Sequence, residues 1–302
     1  MTREYRYYQI DSFTKDRFAG NPAGVVVNAE GLSDAEMQQI AREVNNSETA
    51  FIFASGHPDY DVHIRFFTPI VEVPICGHAT IAAHYARATE LQLESTRILH
   101  KTGAGILPVD IVRESHDYKI VMEQGGINFG PAIEGENKAQ LLNALKLSED
   151  DLIAHAPVQI VSTGHSKVMI PLKNKDKMNQ IDPNYGALSQ LSKSIGCNGY
   201  YVFTLAAGND DVLVDGRMFA PAIGINEDPV TGNANGPLGP YLIRHQLVQS
   251  SEPSLFRFRS RQGEAMGRPG TVEVEVLLNE GIPVSVRIAG HAVIVYQAKF
   301  VF

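Results

Sequence analysis

An internal repeat constrains the fold of this chain more than any other feature of its sequence. The segment Arg65–Val73 resembles Arg217–Ile225, which begins 152 residues later. Residues 77–80 match residues 232–235 at an offset of 155, and residues 47–53 match residues 197–203 at an offset of 150. Three matches in the same order at nearly one offset are better explained by duplication than by chance. We therefore expect two similar domains.

The length and the predicted elements agree with two domains. A chain of 302 residues is too long for one ordinary core. Short strands dominate, and the regular alternation of strands with amphipathic helices that a doubly wound sheet requires is missing. We predict an α+β fold with a first domain at residues 1–125 and a second at 126–290, while the strand-like segment 291–302 returns to the first domain.

Composition excludes several kinds of partner. The net charge is −8 and no block of lysine and arginine occurs, so nucleic acid is not expected to bind. The chain has two cysteines, Cys76 and Cys197, which form no disulfide framework and indicate a reducing compartment. Neither a signal-peptide core nor a membrane-spanning apolar run is present in the sequence. We therefore expect a cytoplasmic enzyme or binding protein.

The stretch from Val73 to His84 contains a candidate site. A strand-like run ends at Pro74, and the helix that follows is apolar almost all round, which is typical of a helix inside a domain. The first N–H groups of such a helix, at Gly77 and after it, have no partner within the helix and could bind an anion. The alternative interpretation is a buried helix whose His78 simply packs at its start.

The two copies differ in their titratable residues. The sequence alignment pairs Glu48 with Asn198 and His78 with Asn233, so a carboxylate and an imidazole occur together in one copy only. The second copy has an acidic turn that begins at Asp228. A carboxylate at the edge of a closed apolar cleft could take a proton from one carbon and return it to another.

We therefore choose Glu48, His78 and Asp228 as the candidate catalytic set, because an imidazole and a second carboxylate can share a proton or orient a substrate. Taken singly, each carboxylate also has a structural explanation. Glu48 could cap a turn, and an aspartate before Pro229 commonly starts one.

Other chemistries find less support. No phosphate-binding glycine motif follows a strand, and no His-Glu-x-x-His motif occurs, so we expect neither a nucleotide cofactor nor a metal. The segment 163–167 lacks the last glycine of a nucleophile elbow. A two-thiol racemase would need cysteines on opposing loops, and Cys197 instead aligns with Ser47.

Motifs spread over nearly the whole chain resemble the phenazine-biosynthesis (PhzF-like) isomerase family, and most closely its uncharacterised enterobacterial branch. These motifs are residues 20–23 (Gly-Asn-Pro-Ala), 47–51 (Ser-Glu-Thr-Ala-Phe), 76–80 (Cys-Gly-His-Ala-Thr), 227–232 (Glu-Asp-Pro-Val-Thr-Gly), 262–263 (Gln-Gly) and 267–270 (Gly-Arg-Pro-Gly). They occur in the same order as in the family.

The resemblance implies a fold like that of diaminopimelate epimerase, with two pseudo-symmetric domains that each wrap a β-barrel-like sheet around a central helix. It also implies a homodimer, an active site between the domains and a cofactor-independent isomerase in which Glu48 shuttles the proton while His78 and Asp228 assist. The substrate would be a small carboxylate. The residues predicted to contact it are Asn21, Cys76, Gly77, Ala79, Thr231, Gly232, Asn233 and Gly263.

One position departs from the family. The residue after Gly232 is often serine in the family and is Asn233 here, so an anthranilate-like substrate does not follow from the resemblance. Two classes of function remain open: an isomerase or epimerase that transfers a proton, and a non-catalytic protein that binds a small metabolite in the same cleft.

Overall fold

The structure, a computed structural model, describes residues 2–206 and 211–302. The chain forms two compact units. One consists of Met1–Glu123 together with Ala289–Phe302, and the other of Gln124–Ile288. Within the described ranges, no helix has the length and hydropathy needed to span a membrane.

The first unit contains the following elements. They are β1 (Glu4–Ser12), β2 (Asn21–Val26), α1 (Asp34–Val44), β3 (Thr49–Ala54), β4 (Val62–Phe67), β5 (Glu72–Val73), α2 (Gly77–Leu91), β6 (Thr96–Thr102), β7 (Gly105–Glu114) and β8 (Asp117–Glu123). The elements after Glu123 are β9 (Asn128–Ala132), α3 (Gly135–Leu145), β10 (Gln159–Ser162), β11 (Ser166–Leu172), α4 (Lys175–Asn179), α5 (Tyr185–Ile195), β12 (Tyr200–Leu205), β13 (Val214–Ala220), β14 (Ile225–Asp228), α6 (Gly232–Arg244), β15 (Leu255–Gln262), β16 (Gly270–Asn279) and β17 (Ile282–Val301).

The sheet of the first unit closes around α2. Strand β1 pairs with β2 and with the end of β17, β2 runs parallel to β3, and β4 runs parallel to β6. The ring continues through β7 and β8 and closes where β8 pairs with β17. Helix α2 packs against β1, β2, β3, β7 and β8, and its small residues, such as Ala82 and Ala86, are completely buried. The helix predicted to be internal is therefore the central helix of a barrel.

Helix α1 covers the outside of this sheet. It begins with the predicted capping box, in which Ser33 Oγ accepts from the Glu36 N–H and the Glu36 carboxylate accepts from the Ser33 N–H. Its apolar face packs on outward side chains of the barrel, including Tyr7, Phe51 and Phe67. The capping box satisfies helix N–H groups that have no partner within the helix.

The second unit repeats this arrangement. Its strands pair in the order β9, β10, β11, β12, β13, β15 and β16, and the β11/β12 and β13/β15 pairs are parallel, as are β2/β3 and β4/β6. Helix α6 packs against β10, β11 and β16. It contains Pro237 and Pro240 in its interior, although prolines there usually break a helix. Burial among these strands stabilises α6 despite the two prolines. The packing is close, because a Cβ atom at Gly239 would lie 2.5 Å from Val276 Cγ2.

Strand registers show which residues of the two units correspond. Arg65 lies opposite Phe51 and forms a bidentate ion pair with Glu72, whereas Arg217 lies opposite Val202 and forms the same pair with Glu227. Phe51 therefore corresponds to Val202, and three residues earlier in each unit Glu48 corresponds to Gly199. The pairing of Glu48 with Asn198 predicted from the sequence was therefore wrong by one residue, because both strands are continuous apolar runs in which a slip leaves the similarity almost unchanged.

Candidate functional site

Two of the predicted catalytic residues meet in the first unit. Glu48 immediately precedes β3, and His78 is the second residue of α2. Glu48 Oε2 lies 3.4 Å from His78 Nε2, and the two side chains are 15% and 9% exposed. A carboxylate and an imidazole that are 30 positions apart in the chain are thus in contact in a largely buried place.

The imidazole of His78 has neighbours at both ring nitrogens. Cys76 Sγ lies 3.4 Å from Nδ1, and Ser47 Oγ lies 3.3 Å from Nε2. Ser12 Oγ donates a hydrogen bond of 2.8 Å to the His78 carbonyl and so fixes the backbone at the start of α2. In a neutral imidazole one nitrogen donates and the other accepts, and the thiol and the hydroxyl can each take the complementary role.

One oxygen of the Glu48 carboxylate lies beside the His78 ring but accepts no hydrogen bond from the described part of the chain. Oε2 is buried, and no residue in the described ranges donates a hydrogen bond to it. Buried polar atoms without a partner are uncommon, and each calls for an explanation. A carboxylate oxygen in this state can accept a proton from a bound molecule without first breaking a hydrogen bond.

Several predicted substrate contacts lie around the start of α2. Cys76 is the N-cap residue, and the first hydrogen bond of the helix runs from the Thr80 N–H to the Cys76 carbonyl over 3.0 Å. The N–H groups of Gly77, His78 and Ala79 therefore precede the hydrogen-bonded part of the helix, although the Ala79 side chain is completely buried. Asn21 is buried at the first position of β2.

In the second unit, Asp228 and Thr231 form one hydrogen-bonded group. Asp228 ends β14, Thr231 is the N-cap of α6, and Thr231 Oγ1 donates to Asp228 Oδ2. The amide of Gln262 donates to the Asp228 carbonyl at 2.7 Å and to Thr231 Oγ1 at 3.0 Å, and its oxygen accepts from the Thr231 N–H at 3.1 Å. Gln262 thus clamps the turn that carries the predicted carboxylate.

Sequence reasoning missed the residues that support this turn from inside the unit. Asn235 donates to the Thr231 carbonyl at 2.9 Å and accepts from the Tyr201 hydroxyl at 2.7 Å, and Ser260 Oγ lies 3.2 Å from that hydroxyl. Burial raises the pKa of Tyr201, which keeps its proton for this bond. The one sequence signal for this network was a second asparagine directly after the Gly-Asn-Ala motif.

The remaining predicted contacts are at the start of α6 and in the turn after β15. Gly232 is the first residue of α6 and is buried, and Asn233, the counterpart of His78, is half-buried. Gly263 has a φ of +90°, and a Cβ atom there would lie 2.2 Å from the Arg268 carbonyl oxygen and 2.8 Å from that of Pro229. The backbone alone therefore requires glycine at this position.

The variant Gly263→Ala is expected to destabilise the fold by about 2 kcal/mol or more, because a left-handed alanine costs about 1–2 kcal/mol before any collision is counted. Gly267→Ala is a matched control, since Gly267 also has a positive φ, +67°, and nothing lies within 4 Å of its would-be Cβ. Denaturant unfolding of both variants measures the difference, and equal losses would contradict the steric argument.

The first-unit group also has the composition of a metal site. The ligand atoms of Glu48, Cys76 and His78 all lie within 4.8 Å of one another, and these residues are the one such group in the described ranges. Thiolate, imidazole and carboxylate are the ligands that Zn²⁺ prefers. Metal binding here would occupy the Glu48 carboxylate and so exclude proton transfer by it.

Comparison with known proteins identifies the family. The family model of phenazine biosynthesis-like proteins (PhzC-PhzF) matches residues 10–298 of the chain. The chain belongs to the PhzF family. An uncharacterised isomerase of Clostridium acetobutylicum is 61% identical over 301 residues, which cover 100% of this chain and 99% of that protein.

Two further relatives of this PhzF-family chain are informative. The trans-2,3-dihydro-3-hydroxyanthranilate isomerase of Pseudomonas fluorescens is 31% identical over 266 residues, 88% of each chain. The crystal structure of a PhzF-family phenazine biosynthesis protein from Bacillus anthracis superposes with a TM-score of 0.89 at 33% identity and covers 99% of each chain. The predicted family and the predicted α+β fold of two similar barrel-like units, as in diaminopimelate epimerase, are thereby confirmed.

Proposed function

We propose that the protein is a cofactor-independent isomerase that transfers a proton between carbons of a small carboxylate metabolite, with Glu48 as the acid–base group. The observation that carries this proposal is the largely buried Glu48 carboxylate, whose Oε2 accepts no hydrogen bond within the described ranges and lies 3.4 Å from His78 Nε2. The names of PhzF-family relatives as isomerases support the reaction class.

The proposed reaction balances without a co-reactant. Glu48 takes a proton from one carbon, the electron pair of that C–H bond shifts into the conjugated system of the substrate, and the protonated Glu48 returns the proton to a different carbon. His78 Nε2 lies 3.4 Å from Glu48 Oε2 and shares the transferred proton with it in the proposed reaction. The N–H groups at the start of α2 stabilise the negative charge that develops on the substrate.

We further propose, as the family resemblance implies, that the substrate binds in a cleft between the two units and that Asp228 assists from the second unit. The same resemblance leads us to propose a homodimer, which sedimentation analysis would test. We do not extend the substrate of the Pseudomonas relative to this chain, because Asn233 stands where the family often has serine.

Deuterium exchange in heavy water tests the proposal. Small unsaturated carboxylates and amino acids are incubated with the protein, and proton NMR and mass spectrometry detect solvent deuterium at carbon. We expect incorporation into at least one compound, together with a product of the same mass apart from deuterium. Binding of a compound without any exchange would instead support the metabolite-binding alternative and would contradict the isomerase.

Zinc is expected to inhibit this exchange. Zn²⁺ bound by Glu48, Cys76 and His78 would remove the proton acceptor, whereas Mg²⁺, which prefers oxygen ligands in an octahedron, is the matched control. A chelator should restore the rate. Exchange that proceeds unchanged in saturating Zn²⁺ would show that these three side chains do not act as ligands.

A further inference from the structure

A lysine in the second unit lies in an unusual environment. Lys167 is the second residue of β11, and its side chain crosses the backbone of Gly199, which precedes β12. A Cβ atom at Gly199 would lie 2.3 Å from Lys167 Cδ and 2.8 Å from Cε. Any other residue at position 199 would displace the lysine, so the Lys167 side chain packs directly on the backbone at Gly199.

The repeat shows what this placement means. In the first unit Gly24 is paired with Thr49, and in the second unit Val168 is paired with Tyr200. Thr49 and Tyr200 follow the corresponding residues Glu48 and Gly199, so Gly24 corresponds to Val168. The residues before them, Ala23 and Lys167, therefore correspond as well. The small and large side chains have exchanged strands. Ala23 accompanies Glu48 in one unit, and Lys167 accompanies Gly199 in the other. The ammonium therefore takes the position in the second unit that the Glu48 carboxylate takes in the first.

The ammonium group retains hydrogen-bonding capacity. Within the described ranges its one hydrogen bond runs from Nζ to the Ser166 carbonyl, over 3.1 Å, although an ammonium group has three donors. Burial lowers the pKa of Lys167, and the neighbouring Cys197 and Asp228 act in the opposite direction. Burial, and then the charge of Lys167, lowers the pKa of His165 nearby. A half-buried cation with unused donors is stabilised by an incoming anion.

We propose that Lys167 is the binding group for a carboxylate of the ligand and acts in the second unit as the counterpart of Glu48. The identity of the ligand as a small carboxylate rests on the proposed function. The position of the cation does not, because it follows from the strand register and from the packing over Gly199. Lys167 would then determine specificity, while proton transfer is assigned to Glu48.

The test compares two compounds of the same size that differ in one carboxylate, crotonate and its neutral amide crotonamide, by titration calorimetry. We expect the wild-type protein to bind the carboxylate compound about tenfold or more tightly than its partner, as one charge-assisted hydrogen bond provides. In Lys167→Met, whose unbranched side chain still fits over Gly199, this preference should vanish while crotonamide binds as before. Lys173→Met, which removes an exposed ammonium bonded to the Asp150 carbonyl, is the control and should retain the preference.

A second variant, Gly199→Ala, keeps the proposal testable if Lys167→Met does not fold. Gly199→Ala leaves the charge in place but collides with the lysine stem, and it should also weaken carboxylate binding. A preference that survives in Lys167→Met, or a wild-type protein without any carboxylate preference, would overturn the proposal. Because exchange is measured separately, a Lys167-dependent preference without deuterium incorporation would refute the isomerase alone, and exchange without this preference would refute the role of Lys167 alone.

Discussion

Replacement of Glu48 by glutamine is expected to lower deuterium exchange about a hundredfold to ten-thousandfold, which is the range for loss of a general acid–base group. The amide has nearly the same shape as the carboxylate but cannot take a proton. Its position 3.4 Å from His78 Nε2 and its small exposed fraction leave little room for water to substitute for it. Ligand binding should persist, because binding is assigned to the helix N–H groups and to Lys167.

Exchange rates and ligand affinity of Glu48→Gln are compared with those of Glu43→Gln, an exposed glutamate of α1 in the same unit. The control should exchange at the wild-type rate. Wild-type exchange in Glu48→Gln would assign the proton transfer to another group. Equal loss of binding and exchange would make Glu48 a binding residue and remove the central claim of the proposed mechanism.

We expect a buried histidine pair to make the free energy of unfolding sensitive to acid. His84 of α2 and His100 of β6 are both 0% exposed, and His84 Nε2 lies 3.3 Å from His100 Nδ1. Their other ring nitrogens accept or donate no hydrogen bond within the described residues. Protonation of either ring would place an uncompensated charge in the core, next to the Arg87 guanidinium in the case of His84.

The pKa of His100 falls to about 4 because burial disfavours the charged ring, and the pKa of His84 also falls, through burial and then the charges of His100 and Arg87. Well above pH 6.5, the pKa of an unfolded histidine, both rings are neutral whether the chain is folded or not. As the pH falls from about 6.5 toward 4, these two histidines bind protons in the unfolded chain but not in the folded chain. The free energy of unfolding therefore decreases. His100 alone accounts for about 3 kcal/mol of this loss.

Denaturant unfolding measured across this pH window tests the prediction. The double variant His84→Leu/His100→Leu should show a much flatter dependence on pH, because leucines of similar size do not titrate. His57→Gln, which removes an exposed histidine of the same unit, should keep the wild-type slope. A double variant with an unchanged slope would assign the acid sensitivity to other groups.

Patterns within one element were predictable from the sequence. The capping box at Ser33 and Glu36 and the all-round apolar character of α2 depend on contacts between residues a few positions apart, and both are present in the structure. The interior prolines of α6 were not interpretable in this way. The cost of a proline within a helix is offset there by burial against strands distant in the sequence.

The candidate site was predictable in part. Glu48 and His78 were chosen for their chemistry, and their contact confirms that the fold brings them together, while their catalytic roles stay a prediction. Gln262, which clamps the Asp228 turn, was noted only as part of a family motif, and Lys167, which crosses Gly199, was not recognised as a functional candidate. Their importance depends on which strand lies beside which, and no local pattern carries that information.

By itself the sequence determined that the chain is a duplicated α+β protein with an apolar helix in its first copy, because duplication and hydrophobic periodicity are properties of residue order. Only the tertiary structure decided that Gly199, rather than Asn198, corresponds to Glu48 and that a lysine from the neighbouring strand fills that place. The physical reason is that similarity between apolar strands barely changes with a slip of one residue, whereas hydrogen-bond register and steric packing permit a single alignment.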